Sequence, residues 1–186
     1  MISEKMQGYV NNSSAIRAMF EEGKKLASVY GAENVYDFSL GNPNVPAPAA
    51  VKEAALQVLN EEDPLMVHGY MSNSGYEDVR EAIAASLNRR FGTGYDAGNL
   101  VMTVGAAGGM NVIFKTLLNP GDEVIAFAPY FGEYRAYVSN YDGVLQVVPP
   151  DTETFQPNLK AFEKLLTEKT KAVIVNTPNN PTGVVY

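Results

Sequence analysis

Cysteine and tryptophan are absent from this sequence, and histidine occurs once. Without cysteine there are no disulfides, no thiolate nucleophile, no zinc finger and no iron–sulfur ligation. A single histidine, His68, excludes metal sites built on two imidazoles and leaves any serine–histidine pair resting on that residue. No acid-flanked serine motif accompanies it, so His68 is read as a surface or structural histidine. Positive charge is also scarce. Fourteen Lys and Arg stand against 21 Asp and Glu, a formal charge of −7, which argues against a nucleic-acid surface. No apolar run approaches the ~18 residues of a membrane span, and the opening residues, MISEKMQGYV, lack the apolar core of a signal peptide. A soluble, cytoplasmic protein with no membrane partner is expected.

What is present is an ordinary globular composition, 46% hydrophobic and 19% charged over 186 residues, enough for one domain or one large domain cut short. Ile16, Met19, Phe20, Leu26, Ala27 and Tyr30 predict a helix from about Ser13 to Tyr30, stopped by Gly31. Tyr36 to Leu40 is short and β-prone, and runs into Gly41-Asn42-Pro43-Asn44-Val45-Pro46-Ala47-Pro48, a stiff irregular connection. Pro48 suits the first position of a helix to about Asn60. Ser74 and Glu77 have the spacing of a capping box, Val79, Ile83 and Leu87 form one apolar stripe, and Gly92 ends that helix.

From about residue 100 the pattern is regular. Strands are expected at Leu100–Val104, Glu123–Ala128, Val144–Val148 and Lys171–Asn176. Helices are expected from the Gly105 turn to Leu118, around Tyr130 to Tyr141, and at Leu159 to Leu166. This alternation predicts an α/β fold with a mainly parallel sheet, whose ligands bind beyond the carboxyl ends of the strands.

Two loops fall at such ends. Gly105-Ala106-Ala107-Gly108-Gly109 joins a strand to a helix N-terminus, where free backbone N–H groups favour an anion such as phosphate and small residues admit close approach. A tight turn packing a helix on the sheet accounts for the same letters. The loop has no Gly-Lys-Ser/Thr ending and does not spell G-x-G-x-x-G, so two nucleotide-binding motifs are excluded. Asn179-Asn180-Pro181-Thr182-Gly183 follows the last strand. A turn explains Pro and Gly, whereas consecutive amides at a strand's end also suit hydrogen bonds to a bound ligand without bringing charge. Ala128-Pro129-Tyr130-Phe131 places two aromatics after another strand, where a flat ring could stack, although such residues more often belong to a core.

In order along the chain, SLGNPNVPAP, HGYMSNSGYEDVREAIA, TVGAAGG, LLNPGDEVIAFAPYF and NTPNNPTG resemble the class I/II aminotransferases of the fold-type-I pyridoxal-phosphate enzymes. The class I branch, with the aspartate and aromatic aminotransferases, is the nearest match. The resemblance implies a three-layer αβα domain, incomplete here, with residues 1–47 belonging to a small domain and its connection and 48–186 to the large cofactor-binding domain. It implies pyridoxal 5′-phosphate as cofactor, an amino acid and a 2-oxo acid as substrates, and a homodimer. By position, the backbone at Gly105, Ala106 and Ala107 resembles the phosphate cup. Phe131 matches the aromatic on the pyridine ring, and Asn180 the amide at the ring's phenolic oxygen and near the substrate carboxylate. Gly41 matches a glycine whose backbone approaches that carboxylate, and Tyr70 the tyrosine that reaches the phosphate in the partner subunit. At least one of the Ala128–Pro129 and Asn180–Pro181 bonds is expected to be cis, as in relatives.

There are departures. Position 107, where many relatives have a hydroxyl or a lysine, is Ala. In the family the Schiff-base lysine, the acid at the pyridine nitrogen and the substrate-gripping arginines lie downstream of the NPTG loop. Here three residues follow Gly183, Val184-Val185-Tyr186, and this apolar end is expected to be a cut. The chain then amounts to roughly the first half of an enzyme and is inactive alone, with no catalytic residue of its own. Lys115, Lys160, Lys164, Lys169 and Lys171 all fall away from the site loops. A non-catalytic α/β ligand-binding or interaction module, a related lyase using the same cofactor and a dehydrogenase half are the alternatives; the last lacks its fingerprint.

Overall fold

The computed structural model describes residues 1–11, 15–38, 41, 43 and 45–186. The chain divides into two compact units, Met1–Gly69 and Tyr70–Tyr186.

The first unit is helical: α1 (Glu4–Asn11), α2 (Ala15–Tyr30), a 3-10 turn at Ala32–Asn34, α3 (Ala49–Glu61) and α4 (Pro64–Val67). Polar α1 has no apolar stripe in the sequence to announce it. Ser13, the expected start of the next helix, lies outside the described residues. Gly31 ends α2 with its N–H on the Ala27 carbonyl and φ at 87°, a positive value that its lack of Cβ permits. Pro48 sits one residue earlier than expected, as the N-cap of α3. The strand expected at Tyr36–Leu40 does not form over 36–38, and Leu40 lies outside the described residues. Tyr36 and Phe38 are exposed, and among the described residues no strand pairs with their backbone. None of this unit's residues whose side chains are described is buried.

The second unit holds the core. α5 (Glu77–Phe91) and α6 (Gly105–Leu117) are followed by β1 (Glu123–Phe127), α7 (Glu133–Ser139), β2 (Val144–Val148), α8 (Leu159–Leu165) and β3 (Thr170–Ile174). The strands form a parallel sheet in the order β2-β1-β3. Glu123 pairs with Val144 through to Phe127 with Val148, and Val124 with Ala172 through to Ala126 with Ile174. Side chains of central β1 alternate between two layers, as the two-residue period of a strand requires. Val124 packs with Phe114 of α6 and Val138 of α7. Ile125 and Phe127 point the other way, with Val148, against Ala161, Phe162 and Leu165 of α8. This is the three-layer αβα arrangement, and β1 is buried on both faces as parallel sheets demand.

Two local expectations need correction. Leu100–Val104 is not a buried strand: no ladder forms there among the described residues, and Val101 and Val104 are 63% and 94% exposed. An apolar run signals a strand only when another backbone pairs with it, and among the described residues its one main-chain bond to a distant segment is Met102 N–H to the Ser74 carbonyl. Nor do Ser74 and Glu77 form a capping box, because α5 begins two residues later than that box requires, with Tyr76 as an N-cap that makes no side-chain cap bond. Its ends are instead charged to suit the helix dipole, Glu77 and Asp78 in the first turn and Arg89 and Arg90 in the last. The C-terminal stop at Gly92 is as expected, at φ 66°. A capping box does form further on, between Asp96 and Asn99.

Candidate functional site at the carboxyl edge of the sheet

The turn Asn119–Asp122 joins α6 to the amino end of β1. Asp122 accepts the Asn119 backbone N–H at 2.8 Å and its side-chain amide at 3.2 Å, and these bonds, with distant Lys171 and Lys169, hold its carboxyl below the usual range. With Phe114 packed on Val124, α6 runs back along the strand. Thirteen helical residues span about 20 Å, against about 17 Å for a five-residue strand, so Gly105 lies towards the carboxyl edge. Phe131 leaves β1 and Asn180 leaves neighbouring β3 at that same edge. The topology therefore brings three of the expected site segments together.

The start of α6 is built to leave donors free. Gly105 adopts φ 67° and gives its N–H to the Thr103 carbonyl at 2.9 Å, while the Thr103 hydroxyl donates to the Gly105 carbonyl at 3.1 Å. The Gly108 N–H returns to Val104 at 3.3 Å. Between them, the N–H groups of Ala106 and Ala107 have no acceptor among the described residues. No acidic side chain stands in the first turn to offset the helix dipole, and nothing lies within 4 Å of where a Gly105 Cβ would be. The result is an open, electropositive main-chain recess. Gly109 completes it, since a Cβ there would stand 3.1 Å from Thr103 Oγ1.

The two asparagines separate cleanly. Asn179 is 6% exposed, and its Oδ1 accepts from the Thr182 N–H at 3.1 Å and the Thr182 hydroxyl at 2.9 Å. Its own N–H goes to the Val184 carbonyl at 2.8 Å, so Asn179 is the turn. Asn180 is exposed, its N–H held by Asn176 Oδ1 at 2.8 Å, and its side-chain amide has no partner among the described residues. The Ala128–Pro129 and Asn180–Pro181 bonds are both cis, as is Thr177–Pro178.

Phe131 is 38% exposed and braced edge-on by Tyr134, 5.7 Å between ring centroids. Burial, and then neighbouring Tyr137, push the Tyr134 phenol above its ordinary range, so it stays protonated. An open cleft of about 300 Å³ lies alongside, between Met110 and Phe114 of α6, Tyr134 of α7 and the 172–176 stretch of β3 and its exit. Tyr70, in the loop before α5, is fully exposed and its hydroxyl has no partner among the described residues. Gly41, in the first unit, is exposed with no atom within 4 Å of a Cβ position. Thr103 and Asn176 shape the two loops, and sequence reading passed over both. Their signal is positional, a hydrogen-bonding side chain one or two residues beyond the end of an apolar run. The five lysines beyond Gly105 lie on α6, on α8 and at the start of β3, away from these loops.

The family profile described as aminotransferase class I and II matches residues 32–186. The chain belongs to the class I and II aminotransferases. An aspartate aminotransferase of Thermotoga maritima is 36% identical over 171 residues, covering 91% of this chain and 44% of that protein. A probable aspartate/prephenate aminotransferase of Aquifex aeolicus is 35% identical over 82% of this chain and 38% of its own length. Among solved structures, an amino transferase from Eubacterium rectale covers the whole chain at 43% identity and a TM-score of 0.93, over 47% of its own length. These relatives place the chain in the aspartate branch of the class I and II aminotransferases, as their N-terminal part. The chain spans less than half the length of each of these relatives.

Proposed function

We propose that these residues supply the N-terminal, cofactor-holding portion of a pyridoxal 5′-phosphate-dependent aminotransferase, which moves an amino group between an L-amino acid and a 2-oxo acid. The observation that carries the reading is the pair of N–H groups at Ala106 and Ala107, without an acceptor among the described residues, set at the sheet edge where the Asn180 amide, likewise without a partner among them, also emerges. These groups fit the cofactor. A dianionic phosphate suits two main-chain donors at an uncompensated helix start, approached without obstruction past Gly105. The open face of Phe131 suits a pyridine ring, and the Asn180 amide can donate to a phenolic oxygen.

When bound, the cofactor acts as the electron sink that makes an amino acid's α-proton removable. This chain's part is placement. Ala106 and Ala107 anchor the phosphate by backbone alone, since position 107 carries no hydroxyl. Phe131 fixes the ring plane, and Asn180 holds the phenolic oxygen without bringing charge. By family resemblance the Gly41 backbone serves the substrate carboxylate, and the Tyr70 hydroxyl serves the phosphate held by a second copy in a homodimer. Residues 1–47 would then belong to the small domain and 48–186 to the large one. The lysine that joins the cofactor covalently lies outside these 186 residues, so the piece alone is inactive. A cytoplasmic location goes with the reading, and the names of the relatives make aspartate the first amino acid to assay.

The coding sequence beyond Tyr186 tests this. A continuing frame with a Ser-x-x-Lys segment is expected, and its product should convert aspartate and 2-oxoglutarate to oxaloacetate and glutamate. A stop codon directly after Tyr186 would leave a non-catalytic ligand-binding module. Ammonia release without a 2-oxo acid acceptor would mark a lyase instead.

A further inference from the structure

Arg80 is a cation with no carboxylate partner among the described residues. Half-buried on the first turns of α5, it forms no ion pair among the described residues. It spends its guanidinium on two main-chain oxygens, donating from Nε to the Gly75 carbonyl at 3.3 Å and from an Nη to the Ala97 carbonyl. Those carbonyls belong to different segments. Gly75 closes the loop that begins at Tyr70, and Ala97 opens the stretch that leads through Met102 and Thr103 to the Gly105 turn. The segments are also joined directly. The Met102 N–H donates to the Ser74 carbonyl at 2.9 Å, one residue before Thr103 takes hold of Gly105. The Ser72 hydroxyl donates to the Gly75 carbonyl at 2.5 Å, the same oxygen that Arg80 uses. Gly75 is buried at φ 95°, and a Cβ there would stand 2.5 Å from Met102 Cγ, so the two segments are in close contact at this point.

We propose that Arg80 is a positioning residue for the phosphate recess. It clamps the 70–75 loop to the 97–103 segment, and thereby fixes where the Ala106 and Ala107 N–H groups point. The fork geometry matters, because a guanidinium can hold two carbonyls in fixed directions where an ammonium offers a single movable point. This inference rests on the reading of the recess as a phosphate site and adds to it the residue that sets its geometry.

The test uses the full-length enzyme freed of cofactor and compares its affinities for pyridoxal 5′-phosphate and for pyridoxal, which lacks the phosphate. The variants are Arg80→Met, Arg80→Lys and Ser72→Ala, each checked for folding by its melting curve. Arg80→Met should lose about tenfold or more in affinity for the phosphorylated form, the scale of charged hydrogen bonds removed. Affinity for pyridoxal should change less than about twofold, since that ligand does not read the recess. Arg80→Lys should recover part of the loss, and Ser72→Ala should show a smaller loss of the same selective kind. Equal losses for both ligands would assign Arg80 to general stability and overturn the proposal. So would unchanged discrimination in folded Arg80→Lys and Ser72→Ala, which decide the matter if Arg80→Met does not fold. If the unmodified enzyme itself does not prefer the phosphorylated form, the phosphate reading of the recess fails, and this inference with it.

Discussion

Adjacent asparagines with opposite surroundings make a sharp experiment of the 179–180 pair. In Asn179→Ala, a buried acceptor disappears and two donors of Thr182, its N–H and its hydroxyl, lose the oxygen that both share. Leaving such groups unpaired costs about 1–3 kcal/mol. The loss should fall on stability, because Asn179 also exchanges backbone bonds with Val184 and Gly183 at 2.8 and 2.7 Å and so closes the loop. In Asn180→Ala, no bond among the described residues is broken. The side chain is exposed and has no partner among the described residues, and the bond from its N–H to Asn176 Oδ1 survives because it is main-chain on the donor side. Stability of the cofactor-free protein should therefore stay within about 0.5 kcal/mol of the parent. Cofactor affinity should fall by about 1–3 kcal/mol, roughly 5- to 150-fold. Urea denaturation of the cofactor-free full-length protein measures the first quantity, and titration with pyridoxal 5′-phosphate the second. The reasoning predicts a crossed result, stability lost in one variant and affinity in the other. If Asn180→Ala unfolds as Asn179→Ala does while retaining cofactor, both asparagines are turn residues and the site assignment is wrong.

Two further outcomes follow from packing and charge. A Cβ at Gly143 would lie 2.8 Å from Leu118 Cδ1 and 2.9 Å from Val138 Cγ1, so Gly143→Ala should overpack the α6–α7 layer and cost about 1–3 kcal/mol in urea denaturation; a neutral result would mean the layer yields. Glu123 accepts the Thr167 hydroxyl at 2.6 Å and the Gln146 amide at 3.0 Å, which together hold its carboxyl below the ordinary 4.5. A carboxylate depressed in the native state contributes stability above its unfolded pKa and loses it as pH falls through the native value. The urea midpoint should therefore drop on acidification below pH 4.5, and Glu123→Gln should flatten that drop; identical pH profiles would remove Glu123 from the account.

The second unit was legible where sequence pattern and partner lie close together. Glu123–Phe127, Val144–Val148 and Leu159–Leu165 fall where alternation and helical spacing put them, because each is bounded by turn residues such as Asn119-Pro120-Gly121. Leu100–Val104 has the same apolar content and forms no strand, since composition cannot say whether a neighbouring backbone is at hand. Ser74 shows the limit of spacing rules: the letters of a cap were present, but Gly75 at φ 95° turns the chain first and delays the helix to Glu77. Within the site, the glycine turn and the NNPTG loop stood out by residue type. Which asparagine faces inward did not, because that depends on Thr182 and Val184 closing the loop, a three-dimensional fact that the two identical letters do not carry.

The recess at the head of α6 is made of main-chain nitrogen, and that sets how it can change. A donor belonging to the peptide unit is the same under any side chain except proline, which alone deletes the N–H. Substitutions at Ala106 and Ala107 can therefore crowd the recess or decorate it, yet they leave its two donors in place. Its variation is pushed outward, to the glycine that opens the turn and the threonine that holds it. A lineage of such proteins could exchange nearly every side chain around this point and keep the same pair of hydrogens aimed at the same space.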